Sequence, residues 1–372
     1  MTKRCFVMAA PSPLRVILVG CGAVARQFYV PALRGLQNIG WLRVVAIVDP
    51  AVAAREIVAR AFPKASQAAA LEHTTSPAGT LAIIVSPPAF HAAQAIAALE
   101  RGWHVLVEKP LAASVAECEQ MIDTARRQER LLAAGLHHRF FPASRYLRAL
   151  CRDWLLGPLI SFRIREGGPF RSPVGPSFFD RTQTPGGVLF DLGIPVFDLL
   201  GWWLGEPDNV RYADDSMGGF EANAFAELHY PGGAVGRVHL SRDWPTAQEY
   251  RFVFERGVVG WPANDASALS VQLAGAPAAV QGALVPPLSE LPPAAPMRPL
   301  EGAAQCFVLQ LANVLRAVAG EEPLAVPATE GVAALRLLEH CYATRTLVAQ
   351  PWLSREEAQP ALDHRASLRV LP

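Results

Sequence analysis

The sequence lacks an excess of charge of either sign and lacks long apolar runs. Its 34 Lys and Arg side chains face 33 Asp and Glu side chains, so the net charge is +1. Nucleic-acid binding depends on clustered positive charge, and no basic stripe interleaved with aromatic residues is present. Apolar runs such as Leu81–Val85 are strand-sized, whereas a membrane-spanning helix needs roughly 20 apolar residues. We therefore expect neither nucleic acid nor a membrane as a partner.

The cysteines also lack the patterns that carry chemistry. Six cysteines are scattered singly along the chain (Cys5, Cys21, Cys118, Cys151, Cys306 and Cys341). This spacing shows neither a metal-ligand pair nor a dense disulfide framework, so we predict no metal site, reduced thiols and a cytoplasmic location. Lys3 and Arg4 precede an apolar run that is short for a signal peptide, and residues 1–13 are interpreted as a leader.

Strand and helix signals alternate over residues 14–135. The apolar, β-branched runs Leu14–Val19, Leu42–Val48, Leu81–Val85 and Val105–Val107 are typical of parallel strands that are covered on both faces. Helical spacing follows over Ala89–Arg101 and Ser114–Arg130. The order of strands and helices predicts an α/β fold with an N-terminal Rossmann domain, a doubly wound parallel sheet.

The pattern changes over residues 136–372. Longer strands are predicted at Leu159–Arg165, Ala222–Tyr230, Ala234–Ser241 and Tyr250–Glu255, and the short turn Pro231-Gly232-Gly233 joins two of them as an antiparallel hairpin. Residues 277–299 hold seven prolines and are predicted to be a structureless loop. Helices are predicted over roughly Glu301–Val318 and Thr329–Ala349. This part is interpreted as an α/β domain with a large, mostly antiparallel open sheet, used for substrate binding and oligomerisation.

A glycine-rich motif follows the first strand directly and opens a helical segment. Gly20 permits a tight turn, Gly22 lets the backbone approach a pyrophosphate, and Ala25 allows close packing of helix on strand. Ala23 and Val24 complete the loop. Asp49 ends the second strand, where a carboxylate can accept hydrogen bonds from ribose hydroxyls. The motif predicts a dinucleotide site.

Two further strands end in polar motifs, Ser86-Pro87-Pro88 and Glu108-Lys109-Pro110. Ligands of an open α/β sheet bind beyond the carboxyl ends of its strands, so we expect these motifs and the glycine loop to share one edge. Lys109 is a candidate proton carrier, and Glu108 is expected to steady its ammonium group. His91, which opens the next helix, is expected to order the loop. The predicted cofactor-binding residues are Gly20, Gly22, Ala23, Val24, Asp49, Ser86, Pro87, His91, Glu108 and Lys109.

From Leu14 to about Val348 the chain resembles the Gfo/Idh/MocA family of nicotinamide-dependent oxidoreductases. The matching segments are Gly20–Ala25, Asp49-Pro50, Arg101–Leu111, Arg139 with Pro142, and Gly186–Asp198. The resemblance implies a Rossmann domain followed by an α/β domain whose open sheet often forms an oligomer interface. We accordingly expect a homodimer or homotetramer.

One position departs from the family pattern. The usual second-domain motif is D-x-G-x-H-x-x-D, whose histidine commonly moves a proton beside the nicotinamide. Here Asp191, Gly193 and Asp198 remain, but Pro195 stands in place of the histidine. Proline has no titratable group, so Lys109 and Asp191 are the predicted catalytic residues, and Asp198 is as readily a structural carboxylate. The candidate substrate residues are His137, His138, Arg139, Asp180 and Pro195, with Tyr146 and Arg171 as further candidates for the pocket wall.

The sequence therefore predicts a nicotinamide-dependent oxidoreductase that acts on a sugar, a polyol or a related carbonyl or imine. The alternative is a catalytically reduced, dinucleotide-binding sensor or regulatory protein on the same fold. Asp49 would repel a 2′-phosphate and Pro50 offers no cation to bind one, so NAD(H) is expected in preference to NADP(H).

Overall fold

The computed structural model contains two sheets. It describes residues 13–169, 180, 182–217, 219–263, 265–292 and 302–349, together with 354, 356, 359 and 363. The first sheet has six parallel strands in the order β3-β2-β1-β4-β5-β6. These are β1 (Leu14–Val19), β2 (Leu42–Val48), β3 (Ser66–Ala68), β4 (Leu81–Ile84), β5 (His104–Glu108) and β6 (Leu132–Gly135).

Helices connect these strands, as expected for a parallel sheet. They are α1 (Val30–Asn38), α2 (Val52–Ala59), α3 (His91–Glu100) and α4 (Val115–Arg127). The four residues of β4 are fully buried, which explains why the strand is apolar throughout rather than alternating. At the start of α4, Ser114 accepts from the backbone of Glu117 and Glu117 accepts from that of Ala113, a reciprocal cap that ends the preceding loop.

The second sheet has nine strands in the order β14-β13-β12-β11-β7-β10-β9-β8-β15. Most neighbours are antiparallel, including the predicted hairpin of β9 and β10, but β10 pairs with β7 and β15 pairs with β8 in parallel. The strands are β7 (Leu159–Gly167), β8 (Asn209–Asp214), β9 (Asn223–His229), β10 (Val235–Ser241), β11 (Glu249–Phe254), β12 (Gly257–Pro262), β13 (Ala268–Leu273), β14 (Val280–Ala283) and β15 (Thr346–Leu347).

Four more helices complete the described fold. They are α5 (Pro142–Arg152), α6 (Ile194–Leu204), α7 (Ala304–Val318) and α8 (Ala328–Thr344). Although α7 follows the second sheet in sequence, it packs on α1, and Phe307 stacks on Phe28 with 4.8 Å between ring centroids. Residues 304–318 therefore share a core with the first sheet.

The structure corrects two sequence predictions. The segment 277–299 is not structureless where it is described, because Val280–Ala283 pairs with β13 as an edge strand. All four of its residues are exposed, so no apolar alternation could signal a strand; residues 293–299 lie outside the described part. The last predicted helix ends at Thr344 rather than Ala349, and the chain enters β15 instead. In the described part of the chain, no helix has the length and apolarity needed to cross a membrane.

Candidate functional site

The glycine loop lies against the neighbouring strand end. Gly20 has a φ of +96°, and a Cβ there would come within 2.6 Å of the backbone of Val85, so only glycine fits. A Cβ on Gly22, by contrast, would meet no protein atom within 4 Å. Ala23 and Val24 are exposed beside it. The loop thus leaves space for an external group at the residue where a dinucleotide pyrophosphate would approach the backbone.

Asp49 fixes this loop by accepting hydrogen bonds from two backbone N–H groups. Its Oδ2 accepts from the backbone of Cys21 at 2.8 Å, and its Oδ1 accepts from the backbone of Ala51 at 2.8 Å. Arg55 was missed by the sequence analysis: its guanidinium donates to the carbonyls of Asp49 and Pro50. A cation therefore stands beside the carboxyl end of β2, where the sequence predicted none next to Pro50.

The residues after β4 and before α3 form a fixed turn. His91 is buried, and its ring lies between two carbonyl oxygens, with Nε2 2.7 Å from that of Ser86 and Nδ1 2.9 Å from that of Pro110. The Ser86 hydroxyl donates to Gln94 at 2.6 Å. His91 therefore ties the loop after β4, which includes Pro87, to the loop after β5, which carries Lys109.

Glu108 acts on the Lys109 ammonium group through its charge and not through a direct hydrogen bond. Its carboxylate accepts from the backbone N–H of Lys109 at 2.7 Å and from the Tyr29 hydroxyl at 2.9 Å, and it has no hydrogen bond to the Lys109 ammonium group. Gln310 in turn donates to the Tyr29 oxygen at 3.2 Å. Burial raises the pKa of Glu108 to about 7 despite these donors and the nearby Lys109 charge.

The Lys109 ammonium group is held by Asp191. Nζ lies 2.8 Å from Oδ1 and 3.0 Å from the backbone carbonyl oxygen of Asp191. Arg242, directly after β10, contacts Oδ2, so the carboxylate lies between two cations. Burial lowers the pKa of Lys109, Arg242 lowers it further, and Glu108 and Glu166 oppose these shifts. The structure thus brings together the two predicted catalytic residues, one directly after β5 and the other in the helical turn Leu189–Gly193 before α6.

Arg242, Glu166 and Tyr250 belong to the same surroundings and were not found in the sequence. Glu166 accepts from the Tyr250 hydroxyl at 2.6 Å. Burial lowers the pKa of Arg242 to about 10, against the favourable charge of Glu166. No spacing motif marks these residues, because strand pairing of β7, β10 and β11 brings them together.

His137 and His138 follow β6, and their rings lie in contact at a tilt of 35°, with centroids 4.2 Å apart. His137 also stacks on Phe307 at 4.4 Å, and its buried Nδ1 has no hydrogen-bond partner among the described residues. Burial, His138 and Lys109 all lower the pKa of His137, so its ring is neutral near pH 7.

Arg139 lies in a separate buried ion pair. Its Nε and Nη2 donate to Asp198 at 2.9 and 2.6 Å, and Nη1 contacts Glu330. The Arg139 side chain is 5% exposed and that of Asp198 is 1% exposed. A cavity of about 870 Å³ adjoins this pair, and neither Lys109 nor Asp191 lines it. The geometry assigns Arg139 and Asp198 to the packing of α6 against the loop after β6.

The other described candidates for the substrate site make no hydrogen bond to Lys109 or Asp191. Asp180 accepts from the backbone and side chain of Thr182 and from Gln183, so it shapes its own turn. Pro195 is buried as the second residue of α6. Tyr146 is 43% exposed on α5, and Arg171 lies outside the described residues. Among the described residues, no group of three His, Cys, Asp or Glu side chains could hold a metal ion.

Comparison with known proteins defines the class. The model of an oxidoreductase family with an NAD-binding Rossmann fold matches residues 14–136, and the model of the GFO/IDH/MocA C-terminal domain matches residues 144–259. The chain belongs to the GFO/IDH/MocA family of oxidoreductases. The predicted family, α/β fold and NAD-binding Rossmann domain are thereby confirmed.

Curated relatives match only in part. D-glucoside 3-dehydrogenase of Escherichia coli K12 is 30% identical over 199 residues, 53% of this chain and 55% of that protein. Myo-inositol 2-dehydrogenase of Thermotoga maritima is 26% identical over 168 residues, 43% of this chain and 49% of that protein. The chain thus spans about half the length of the curated relatives it matches.

Solved structures share the fold over most of the chain. A levoglucosan dehydrogenase in complex with NADH and levoglucosan gives a TM-score of 0.77 at 18% identity, over 89% of this chain and 97% of that one. An oxidoreductase domain protein of Kribbella flavida gives 0.75 at 21% identity, over 90% and 97%.

Proposed function

We propose that this protein is a nicotinamide-dependent oxidoreductase that transfers hydride between the cofactor and a carbon of a sugar, a polyol or a related carbonyl or imine. One observation carries the proposal: Asp191 holds the ammonium group of Lys109 where β5 ends, on the same sheet edge as the glycine loop after β1. A proton-carrying group next to a dinucleotide loop is what hydride transfer to or from a carbonyl requires.

The bound nicotinamide would supply the hydride, and this chain would supply binding, orientation and the proton. Gly20 and Gly22 shape the loop for the pyrophosphate, and Asp49 stands where the adenosine ribose is bound in such folds. Lys109 is positioned to exchange a proton with a substrate oxygen or nitrogen, because burial lowers its pKa and eases loss of the proton. Asp191 orients its ammonium group.

The names of the relatives support this class of substrate. They include dehydrogenases of D-glucosides, myo-inositol and D-xylose, and a structural neighbour is bound to levoglucosan. Pro195 cannot exchange a proton, so the role of the usual histidine falls to Lys109, with the neutral ring of His137 as the second candidate.

The test compares Lys109→Ala with Lys64→Ala, since Lys64 is exposed and precedes the amino end of β3, at the opposite edge of the parallel sheet from the site. We expect Lys109→Ala to bind NADH nearly as the parent does, measured by fluorescence, but to lose about 10²–10⁴-fold in turnover with sugars and polyols. An unchanged rate would move the proton transfer to His137, His138, Asp191 or water. Lys64→Ala should leave both measurements unchanged.

A dinucleotide-binding sensor is the second candidate, and the proline at position 195 is the observation that favours it. The two functions separate in one experiment. A protein that binds NADH but turns over no member of a broad panel of polyols, sugars, ketones and imines, in either direction, is a sensor and not an enzyme.

We also propose that the protein acts in the cytoplasm as a homodimer or homotetramer, through the exposed face of the nine-stranded sheet. Phe225 is 37% exposed on this face, where His239 stacks on it at 4.3 Å, and Arg163 and Arg237 are exposed beside it. Light scattering should show an oligomer that Phe225→Asp dissociates; a parent monomer would refute the proposal.

A further inference from the structure

Two π-helical turns converge on the segment that carries Glu108 and Lys109. The first, Ala25–Tyr29, leads into α1 and supplies the hydroxyl that binds Glu108; the second, Leu189–Gly193, leads into α6 and supplies Asp191. In both cases the following helix has proline as its second residue, Pro31 in α1 and Pro195 in α6. Such turns often occur where a helix serves a functional site.

Proline explains why the helix is irregular at these places. It has no N–H, and its ring clashes with the carbonyl group four residues earlier, so a regular helical hydrogen bond to that carbonyl is impossible. For Pro195 the residue four positions earlier is Asp191. In a regular α-helix the N–H of residue 195 would donate to the carbonyl oxygen of Asp191.

In this protein the Lys109 ammonium group donates a hydrogen bond to that carbonyl oxygen. Its Nζ lies 3.0 Å from the Asp191 carbonyl oxygen and 2.8 Å from the carboxylate oxygen Oδ1. An ammonium group has three donors, and two of them are therefore fixed by a single residue. Among the described residues Nζ has no further hydrogen-bond acceptor, so the third N–H is left for a substrate atom.

We propose that Pro195 is a positioning residue: by withholding the N–H that α6 would direct at Asp191, it leaves the Asp191 carbonyl oxygen to hold the ammonium group of Lys109. The inference rests on the proposed function only for the role of Lys109 in catalysis. Pro195 stands where the family has a histidine, and any residue other than proline at this position would restore the backbone N–H that competes with Lys109. The replacement of histidine by proline therefore has a structural consequence.

The substitution Pro195→Ala restores this N–H without adding a titratable group. We expect the new amide to bond to the Asp191 carbonyl oxygen, so that Lys109 loses one of its two acceptors. Acceptors stabilise the charged form of an ammonium group, and the pKa of Lys109 should therefore fall by about 0.5–1 unit. The groups that face Lys109 are otherwise unchanged: Asp191, Glu108, Glu166, Arg242 and His137.

The chain allows a direct measurement, because it contains only three lysines, Lys3, Lys64 and Lys109. Protein labelled with ¹³C at lysine gives three sets of side-chain signals, which Lys3→Arg and Lys64→Arg assign. Their titration midpoints are read by NMR without cofactor or substrate. The result is therefore independent of turnover, and a failure of the proposed function would not alter it.

Pro31→Ala is the matched control, since it makes the same change after the other π turn, where the carbonyl four residues earlier belongs to Gln27. Asp191→Asn removes the negative charge next to Lys109 and should lower the Lys109 titration midpoint more than Pro195→Ala does. This variant is the positive control for the measurement. The proposal is supported if Pro195→Ala lowers the midpoint while Pro31→Ala does not.

An unchanged or raised Lys109 midpoint in Pro195→Ala would overturn the proposal. Pro195→His gives a second variant that carries the N–H, and it should lower the midpoint in the same direction. Hydrogen exchange at residue 195 supplies an independent check: a protected amide supports the bond to Asp191, whereas a rapidly exchanging one contradicts it.

Discussion

The Tyr29 hydroxyl donates a hydrogen bond of 2.9 Å to Oε1 of Glu108. The two residues are 79 positions apart, and both are buried. This bond joins the helical segment that follows the glycine loop to the strand end that carries Lys109. The dinucleotide loop and the proposed proton carrier are therefore fixed to each other through one carboxylate.

Glu108 should make the stability of the protein depend on pH. Burial raises its pKa to about 7 in the folded protein, against about 4.3 in an unfolded chain. The folded state then binds the proton more tightly, so this contribution to stability is complete below pH 4.3 and is lost as the pH rises through 7. The full loss is on the order of 3–4 kcal/mol.

Thermal unfolding of Glu108→Gln and the parent between pH 5 and pH 8 measures this effect. The variant carries no carboxyl group at this position, so its melting temperature should improve relative to the parent as the pH rises. A difference between the two melting temperatures that is constant with pH would show that Glu108 does not titrate in this range.

The two glycines of the loop should respond differently to alanine. At Gly20 a Cβ meets the backbone of Val85 at 2.6 Å and φ is +96°, so Gly20→Ala should destabilise the fold by about 1–3 kcal/mol. At Gly22 the space is open, so Gly22→Ala should fold normally and weaken NADH binding at least about tenfold. Denaturant unfolding and fluorescence titration distinguish them; normal NADH binding by Gly22→Ala would place the cofactor elsewhere.

The edge strand β3 has two of its three residues exposed and was not predicted. Strands β1, β2, β4 and β5 of the first sheet were predictable because they are largely buried and therefore read as apolar runs. The edge strand Val280–Ala283 was not, because every residue in it is exposed. In the site, Lys109 and Asp191 are marked by their motifs. Tyr29 and Arg242 are ordinary helix and strand-end residues in the sequence, and only tertiary contacts bring them to Glu108 and Asp191.

The ion pair of Arg139 and Asp198 should contribute to stability rather than to the reaction. Replacing Arg139 by Met leaves the Asp198 carboxylate, 1% exposed, without its cation, which costs about 3–5 kcal/mol. Adding Asp198→Leu should recover much of that loss, because the buried charge is then absent as well. Urea unfolding of the two single variants and the double variant measures this coupling. Fully additive losses would mean that the two side chains do not interact.

Cofactor preference should depend on the charge of Asp49. The carboxylate accepts from the backbone of Cys21 and Ala51 at the end of β2, where a 2′-phosphate would bring a second negative charge. We therefore expect the parent to bind NADH more tightly than NADPH. Asp49→Ser removes the repulsion and leaves the Arg55 guanidinium beside the same backbone, so the ratio of the Kd for NADPH to that for NADH should fall at least about tenfold.

Fluorescence titrations with both cofactors measure the ratio, and Asp49→Ser combined with Arg55→Ala should lose most of the gain in NADPH affinity. If the parent prefers NADPH, the repulsion attributed to Asp49 is overcome by Arg55, and Arg55→Ala alone should reverse the preference.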